Sequence, residues 1–279
     1  RPLGLRLRKL PDEMVSITVD HKQQVSIRAG AAFFQITAMD SEDYPELPDV
    51  NGKSGVTMPQ SALKAMISGT IFSVSENQAR PIQTGCLMEV TEDSVTMVAV
   101  DSFRLARRTW HTQNAANHTL KFVVPAAGLK EIERILEDSD EPVTFTLGDK
   151  HILFSIGDAL LVSRVLEGEF IDWRRVVPTN CGTVLTANVA ELTSSIERVS
   201  LIISEKVKSP VRCVFGDNMA DFRTANTIGS AHDTCSIAGN GGELEIGFNS
   251  RYLLDALRVI PSEEVTLELQ NGLSPIVFT

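Results

Sequence analysis

Apolar residues recur along this chain in two alternating rhythms. Four stretches carry them at helical spacing: Leu63, Met66 and Ile67; Leu129, Ile132 and Leu136; Val189, Leu192, Ile196, Val199 and Ile203; Leu253, Ala256, Leu257 and Ile260. Spacing of this kind puts an apolar stripe on one face, and it predicts helices over 59–69, 126–136, 187–203 and 249–260. A strand-like lead-in precedes each: GVTM (55–58), KFVV (121–124), GTVL (182–185) and ELEIGF (243–248). Pro59 and Pro125 fall where a first-turn proline is tolerated, and Asn188 and Asn249 are placed to cap. The helices open roughly 60 residues apart, which reads as half-units of strand, helix and several antiparallel strands.

A longer period overlies this one. RKLPDEMVSITVDHKQQVSI (8–27), RILEDSDEPVTFTLGDKHILFSI (134–156) and RVIPSEEVTLELQNGLSPIVF (258–278) share one plan. Each leaves a helix-like run, passes an acidic turn containing proline, and continues into two alternating strands. The copies lie about 125 residues apart, too long for a solenoid and right for a domain. Two of them continue alike, through FFQITAMDSEDYPELP (33–48) and LLVSRVLEGEFIDWRRVVP (160–178). Polar stretches at 46–55 and 178–182 read as linkers, which gives three units: 1–54, 55–181 and 182–279. The chain is read as α+β, with tandem similar domains each carrying two helices on antiparallel sheets. The alternative is an unrelated pair of α+β domains, and the three aligned turns weigh against it.

At 279 residues and 43% hydrophobic, the chain can bury two full cores and part of a third. It reads as a piece: the first unit begins in its second half, and the last stops at Phe278-Thr279 where the second continues through another strand. The opening RPLGLRLRKL has no apolar signal core, and no stretch reaches the length of a membrane span. Cys86, Cys181, Cys213 and Cys235 form no C-x-x-C pair, so a reduced, cytoplasmic protein without a zinc site is expected. A net charge of −10 argues against a conventional basic nucleic-acid-binding domain. Local basic faces remain open to it. Arg6, Arg8 and Lys9 cluster on the first partial helix, and Lys64, Lys130, Arg134, Arg251 and Arg258 recur on or beside the later ones. Taken singly each is a solvated helix residue; together they allow a shared, weakly positive lining.

No catalytic constellation emerges. The five histidines are scattered, and the acidic runs SEDYPE, LEDSDE and PSEE fall at turns. The Gly-rich GNGG (239–242) lacks the Lys-Ser/Thr of a phosphate loop and reads as a hairpin turn. Two segments stand out. VAVDSFRLA (98–106) runs an apolar strand into a turn carrying Asp, Phe and Arg, and EGEFIDWRRVVP (167–178) sets aromatics and arginines at a domain junction. Interdomain packing explains both. A partner groove does so equally, since Trp, Arg and aliphatic residues dominate binding hot spots.

These two segments, with FxIxAMDxxDYPxLP (34–48) and EIGFNSRYLLDAL (245–257), closely resemble the bacterial sliding clamp family, the beta subunit of DNA polymerase III. The motifs span nearly the whole chain in the family's order. The resemblance implies a DNA-clamp fold with three similar domains, paired head to tail into a homodimer ring, helices inside and sheets outside. It implies no catalysis, cofactor or metal. It implies a processivity factor that encircles double-stranded DNA without sequence preference and tethers the replicative polymerase, the clamp loader and repair proteins through short peptides. The positions matching the peptide cleft are Val100, Ser102, Phe103, Arg104, Leu105, Ile171, Arg175 and Val176, with Ser274 and Pro275 across it. Asn77, Arg80, Pro81, Ile82 and Gln83 match a segment between cleft and DNA; Asn77 and Arg80 then join the five basic helix residues Lys64, Lys130, Arg134, Arg251 and Arg258 as DNA-facing. Phe103 stands where some relatives carry histidine, Ile171 where proline is common, and Gln83 where an apolar residue often lines the cleft, which alters pocket shape and peptide preference. An enzyme using the acidic knots at Asp40 and Glu167, or a scaffold with no nucleic-acid role, are the competing readings.

Overall fold

The structure, a computed structural model, describes residues 14–40, 43, 50, 55–113, 119–203 and 209–279. Arg6, Arg8, Lys9, the opening of the first repeat copy and most of the linker at 46–55 lie outside the described residues. The chain forms two compact bodies, residues 1–49 and 50–279.

The first body holds β1 (Ser16–Val19), β2 (Gln24–Ala29) and β3 (Ala32–Thr37), an antiparallel sheet in that order. The Asp20 carboxylate accepts from the backbone N–H groups of Lys22 and Gln24, at 2.8 and 2.9 Å, and so builds the first turn. Gly30, at φ +57°, opens a two-residue turn between Ala29 and Ala32. A positive φ there matches the twist of the strands, and glycine adopts it without a Cβ clash.

The same hairpin recurs in the second body as β9 (Pro142–Leu147), β10 (His151–Ile156) and β11 (Ala159–Arg164), with Gly157 at φ +53° in the place of Gly30. Around it stand β4 (Gly55–Pro59), β5 (Gly85–Val90), β6 (Ser94–Val100), β7 (Leu105–His111) and β8 (Leu120–Pro125). They form two sheets, β11-β10-β9-β4 and β7-β6-β5-β8. Helices α1 (Gln60–Ser68) and α2 (Ala126–Ile135) pack side by side against both. Leu63, Ile67, Leu129 and Ile132 thereby meet Met88, Met97, Phe145 and Phe154 in one dry core. Each such side chain contributes about 1.5–3 kcal/mol on full burial.

The C-terminal part runs β12 (Thr183–Asn188), α3 (Val189–Ser200), β13 (Val211–Ala225), β14 (Ser230–Phe248), α4 (Ser250–Leu257), β15 (Glu264–Leu269) and β16 (Val277–Phe278). Its sheet has the order β13-β14-β12-β15-β16. The pairs Val211↔Phe248 and Ala225↔Ser230 repeat Gly85↔Pro125 and Val100↔Leu105 at a shift of about 125 residues. The period seen in the sequence is therefore a period of strand pairing.

Two local readings change. Pro59 and Pro125 are N-caps, not first-turn residues, because each also ends a paired strand. Asn188 and Asn249 do cap, accepting from Glu191 and Arg251 N–H. GNGG is not a hairpin turn. It lies inside β14, where Gly239 and Gly242 at positive φ kink one continuous strand, opposite register shifts between Phe215 and Met219.

Candidate functional site

β5 is buried on both faces. Cys86, Met88 and Val90 face the helices, while Leu87 joins Val98 and Val100 of β6 and Val123 of β8 in a second apolar cluster on the opposite side. Segment 166–177 lies over that side. It is pinned by Leu166 N–H donating to Val123 C=O at 2.9 Å, and it buries Phe170 and Trp173 in the cluster. Strand alternation is the cause: with apolar residues on both faces, the β5–β6 pair cannot leave either face in water.

The clamp on this segment is ionic. Glu89, the one charge in β5, is 8% exposed. It accepts from Trp173 Nε1 at 3.3 Å and Arg174 Nη2 at 2.9 Å, and Lys121 Nζ lies 3.6 Å away. Arg174 and Arg107 both lie over the Trp173 ring, at 4.2 and 5.3 Å from its centroid. Burial alone would raise the Glu89 carboxyl, but hydrogen bonds from Arg174 and Trp173 and the charges of Arg174 and Lys121 outweigh it and hold the group below the ordinary glutamate value. Pattern reading passed over Glu89; a lone acid inside an apolar strand was the available signal.

Val100, Leu105 and Ile171 meet in this cluster. Ser102, Phe103, Arg175 and Val176, beside these residues in the chain, are exposed, Phe103 with 77% and Val176 with 47% of its surface in solvent. Among the described residues Arg175 pairs with Asp172, at 3.0 Å. Ser274 and Pro275 occupy the turn after β15, where Asn271 Oδ1 accepts from Leu273 and Ser274 N–H. Among the described residues no hydrogen bond or ion pair joins them to the other group.

Arg104 behaves differently from its neighbours. Its side chain is 15% exposed. Nε donates to Asp101 at 3.2 Å, Nη1 to Asp255 on α4 at 2.7 Å, and Nη2 to the Phe72 carbonyl at 2.5 Å. The guanidinium also stacks 4.4 Å over Tyr252, whose ring in turn stacks on Phe103 at 5.6 Å. Arg104 ties the turn 101–104 to α4. Arg108 adds a second tie, donating to the Val259 carbonyl at 2.9 Å.

The turn itself is built twice. Asp101 Oδ1 accepts from Phe103 and Arg104 N–H, and Asn226 Oδ1 accepts likewise from Ile228 and Gly229 N–H. Ile228, in the place of Phe103, is 67% exposed. Beside it the outer face of β13 carries Arg212, Asp221 and Arg223 where the earlier repeat is apolar.

Of the basic helix residues, Lys64 pairs with Asp138, Arg134 with Glu131, Arg251 with Asp255 and Arg258 with Glu197, at 3.1, 2.8, 3.9 and 3.2 Å. Lys130 and Arg80 are exposed and have no ion pair among the described residues. Arg80 and Asn77 sit on an exposed loop closed by Ser75 N–H donating to Gln83 C=O at 2.8 Å. Among the described residues no group of three or more His, Cys, Asp or Glu could hold a metal ion, and no helix is long and apolar enough to cross a membrane.

Residues 57–172 match the family model of the DNA polymerase III beta subunit central domain, and 174–279 that of its C-terminal domain. A beta sliding clamp of Staphylococcus aureus is 29% identical over 274 residues, 98% of this chain and 72% of that protein. Among solved structures, a putative DNA polymerase III beta subunit from Eubacterium rectale is 31% identical with a TM-score of 0.91, over 100% of this chain and 76% of that one. The DNA polymerase sliding clamp of Bacillus subtilis is 29% identical with a TM-score of 0.91, over 100% and 74%. With this fold, this repeat and these likenesses, the chain belongs to the DNA polymerase III beta subunit family, the bacterial sliding clamps, which are non-catalytic processivity factors.

Proposed function

We propose that the chain works as a cytoplasmic homodimer ring of three clamp domains per subunit, divided at 54/55 and 181/182. The ring encircles double-stranded DNA and tethers the replicative polymerase, the clamp loader and repair proteins through short peptides. The observation that carries the peptide site is the second apolar face of the β5–β6 sheet. Buried Val100 and half-buried Leu105 and Ile171 are accompanied along the chain by exposed Phe103 and Val176, which supports an apolar seam open to a partner. Arg175 and Ser102 stand at its rim, and Ser274 and Pro275 are assigned to its far side by family position alone.

Duplex DNA meets Lys64, Lys130, Arg134, Arg251 and Arg258, with Asn77 and Arg80 on the neighbouring loop. Four of these cations already have carboxylate partners, so each phosphate contact is weak and local. Weak, sequence-independent contacts suit a body that slides. Primer extension by the cognate polymerase on primed circular DNA, with the loader and the full-length protein, tests the proposal. Long products are expected, shortened to distributive length by Val176→Asp. Unchanged product length on omitting the protein refutes it.

A further inference from the structure

The turn that carries the partner seam and the helix assigned to DNA share one carboxylate oxygen. Asp255 Oδ2 accepts from Arg104 Nη1 at 2.7 Å and lies 3.9 Å from Arg251 Nε. Their exposures differ sharply: the Arg251 side chain is 74% exposed, that of Arg104 15%, that of Asp255 22%. Arg251 is free to leave for another anion. Arg104 is committed to Asp101, Asp255 and the Phe72 carbonyl.

We propose that Asp255 is a positioning residue through which DNA engagement tightens the partner seam, an inference that rests on the function proposed above. Two guanidinium groups compete for the same oxygen and repel each other. A duplex phosphate that draws Arg251 away leaves the full charge of Asp255 to Arg104. The hold on the turn then strengthens, and with it the placement of Phe103, stacked on Tyr252, and of Leu105, the first residue of β7. Coupling of this kind is reciprocal: peptide must favour DNA to the extent that DNA favours peptide. Ion pairs with one exposed partner have modest strength, so the effect is about two- to threefold in each affinity.

The test uses the full-length protein and a fluorescently labelled peptide of the polymerase's C-terminal residues. Anisotropy is titrated with and without saturating short linear duplex at fixed ionic strength. Wild type is expected to bind peptide two- to threefold tighter with duplex. Arg251→Gln, a surface change that does not threaten folding, should bind peptide without duplex as tightly as wild type does with it, and show no further gain. Asp255→Asn should lose the response. Arg258→Gln weakens duplex binding but leaves Asp255 untouched, and should keep the response at saturation. Equal peptide affinity with and without duplex in wild type overturns the coupling, as does a response surviving in Asp255→Asn or Arg251→Gln. Failure of wild type to bind peptide or duplex at all would instead overturn the function on which the coupling rests.

Discussion

Replacing Glu89 by Gln keeps the shape of the side chain and removes its charge. The hydrogen bond from Trp173 then becomes a neutral one, while Arg174 loses its ion pair and keeps at most a bond from its own charged guanidinium. Hydrogen bonds to a charged group contribute about 1.5–3 kcal/mol against about 0.5–1.5 for neutral pairs. Arg174 is 61% exposed and regains water when its partner is lost, so its share is small. Trp173 is buried and has no such recourse. The expected loss is therefore about 1–2 kcal/mol at pH 7. Because the folded carboxyl is held below its ordinary value of 4.5, its stabilisation is fully present above that value and is lost as pH falls through the depressed one. Urea unfolding followed by Trp173 fluorescence, with Trp110→Phe as background, reads this directly. The variant's midpoint should lie below wild type at pH 7, and the gap should close in acid. Equal midpoints at pH 7, or a gap that widens in acid, would refute the argument. Since Glu89 holds down the segment that carries Ile171 and Val176, the same change should also weaken partner peptide.

Val176→Asp or Leu105→Asp in the full-length protein should lower peptide affinity at least about tenfold, since an apolar anchor contributes about 1.5–3 kcal/mol; calorimetric titration giving wild-type affinity in a folded variant would place the site elsewhere. Ile228 stands where Phe103 meets a neighbouring helix, so Ile228→Asp should move the ring toward monomer in sedimentation velocity, and an unchanged dimer would show that this turn lies off the joint. Burial pushes the thiol of Cys235 up to about 11, that of Cys86 to about 12, and that of Cys213 higher still. A thiol-specific disulfide reagent should therefore modify Cys181 first in the native protein and all four thiols in urea; fast native labelling of Cys86 would contradict the packing of β5.

The sequence made the repeat visible because strand pairing and helix faces both depend on spacing, and spacing survives in letters. Period alone puts Leu63, Leu129, Leu192 and Leu253 on the apolar stripes of their helices, and all four are buried. Asn188 and Asn249 were legible for the same reason: a cap needs only a local geometry. What escaped depended on partners far away in the chain. Nothing near Arg104 announces Asp255, 151 residues on, and nothing near Glu89 announces Trp173 and Arg174. GNGG was misread because the short-range signal for a hairpin and for a kinked strand is the same; the pairing of β13 with β14 decides between them. Arg104 matched a cleft position by motif, yet which way its guanidinium turns was settled by Tyr252 and Asp255.

The two repeats of the second body differ on one sheet face. Leu87, Val98 and Val100 make it greasy in one, while Arg212, Asp221 and Arg223 make it wet in the other. A duplicated scaffold is thus asymmetric in its tenancy. On the partner site proposed above, a guest that anchors through aliphatic side chains suits the first repeat and not the second, whose charged residues would have to shed water for no return. In a ring of two such chains these berths fall at half-turn intervals and not at every repeat. On the function proposed above, two partners then seat at once on one ring, and a handover between them becomes a local contest for a seat.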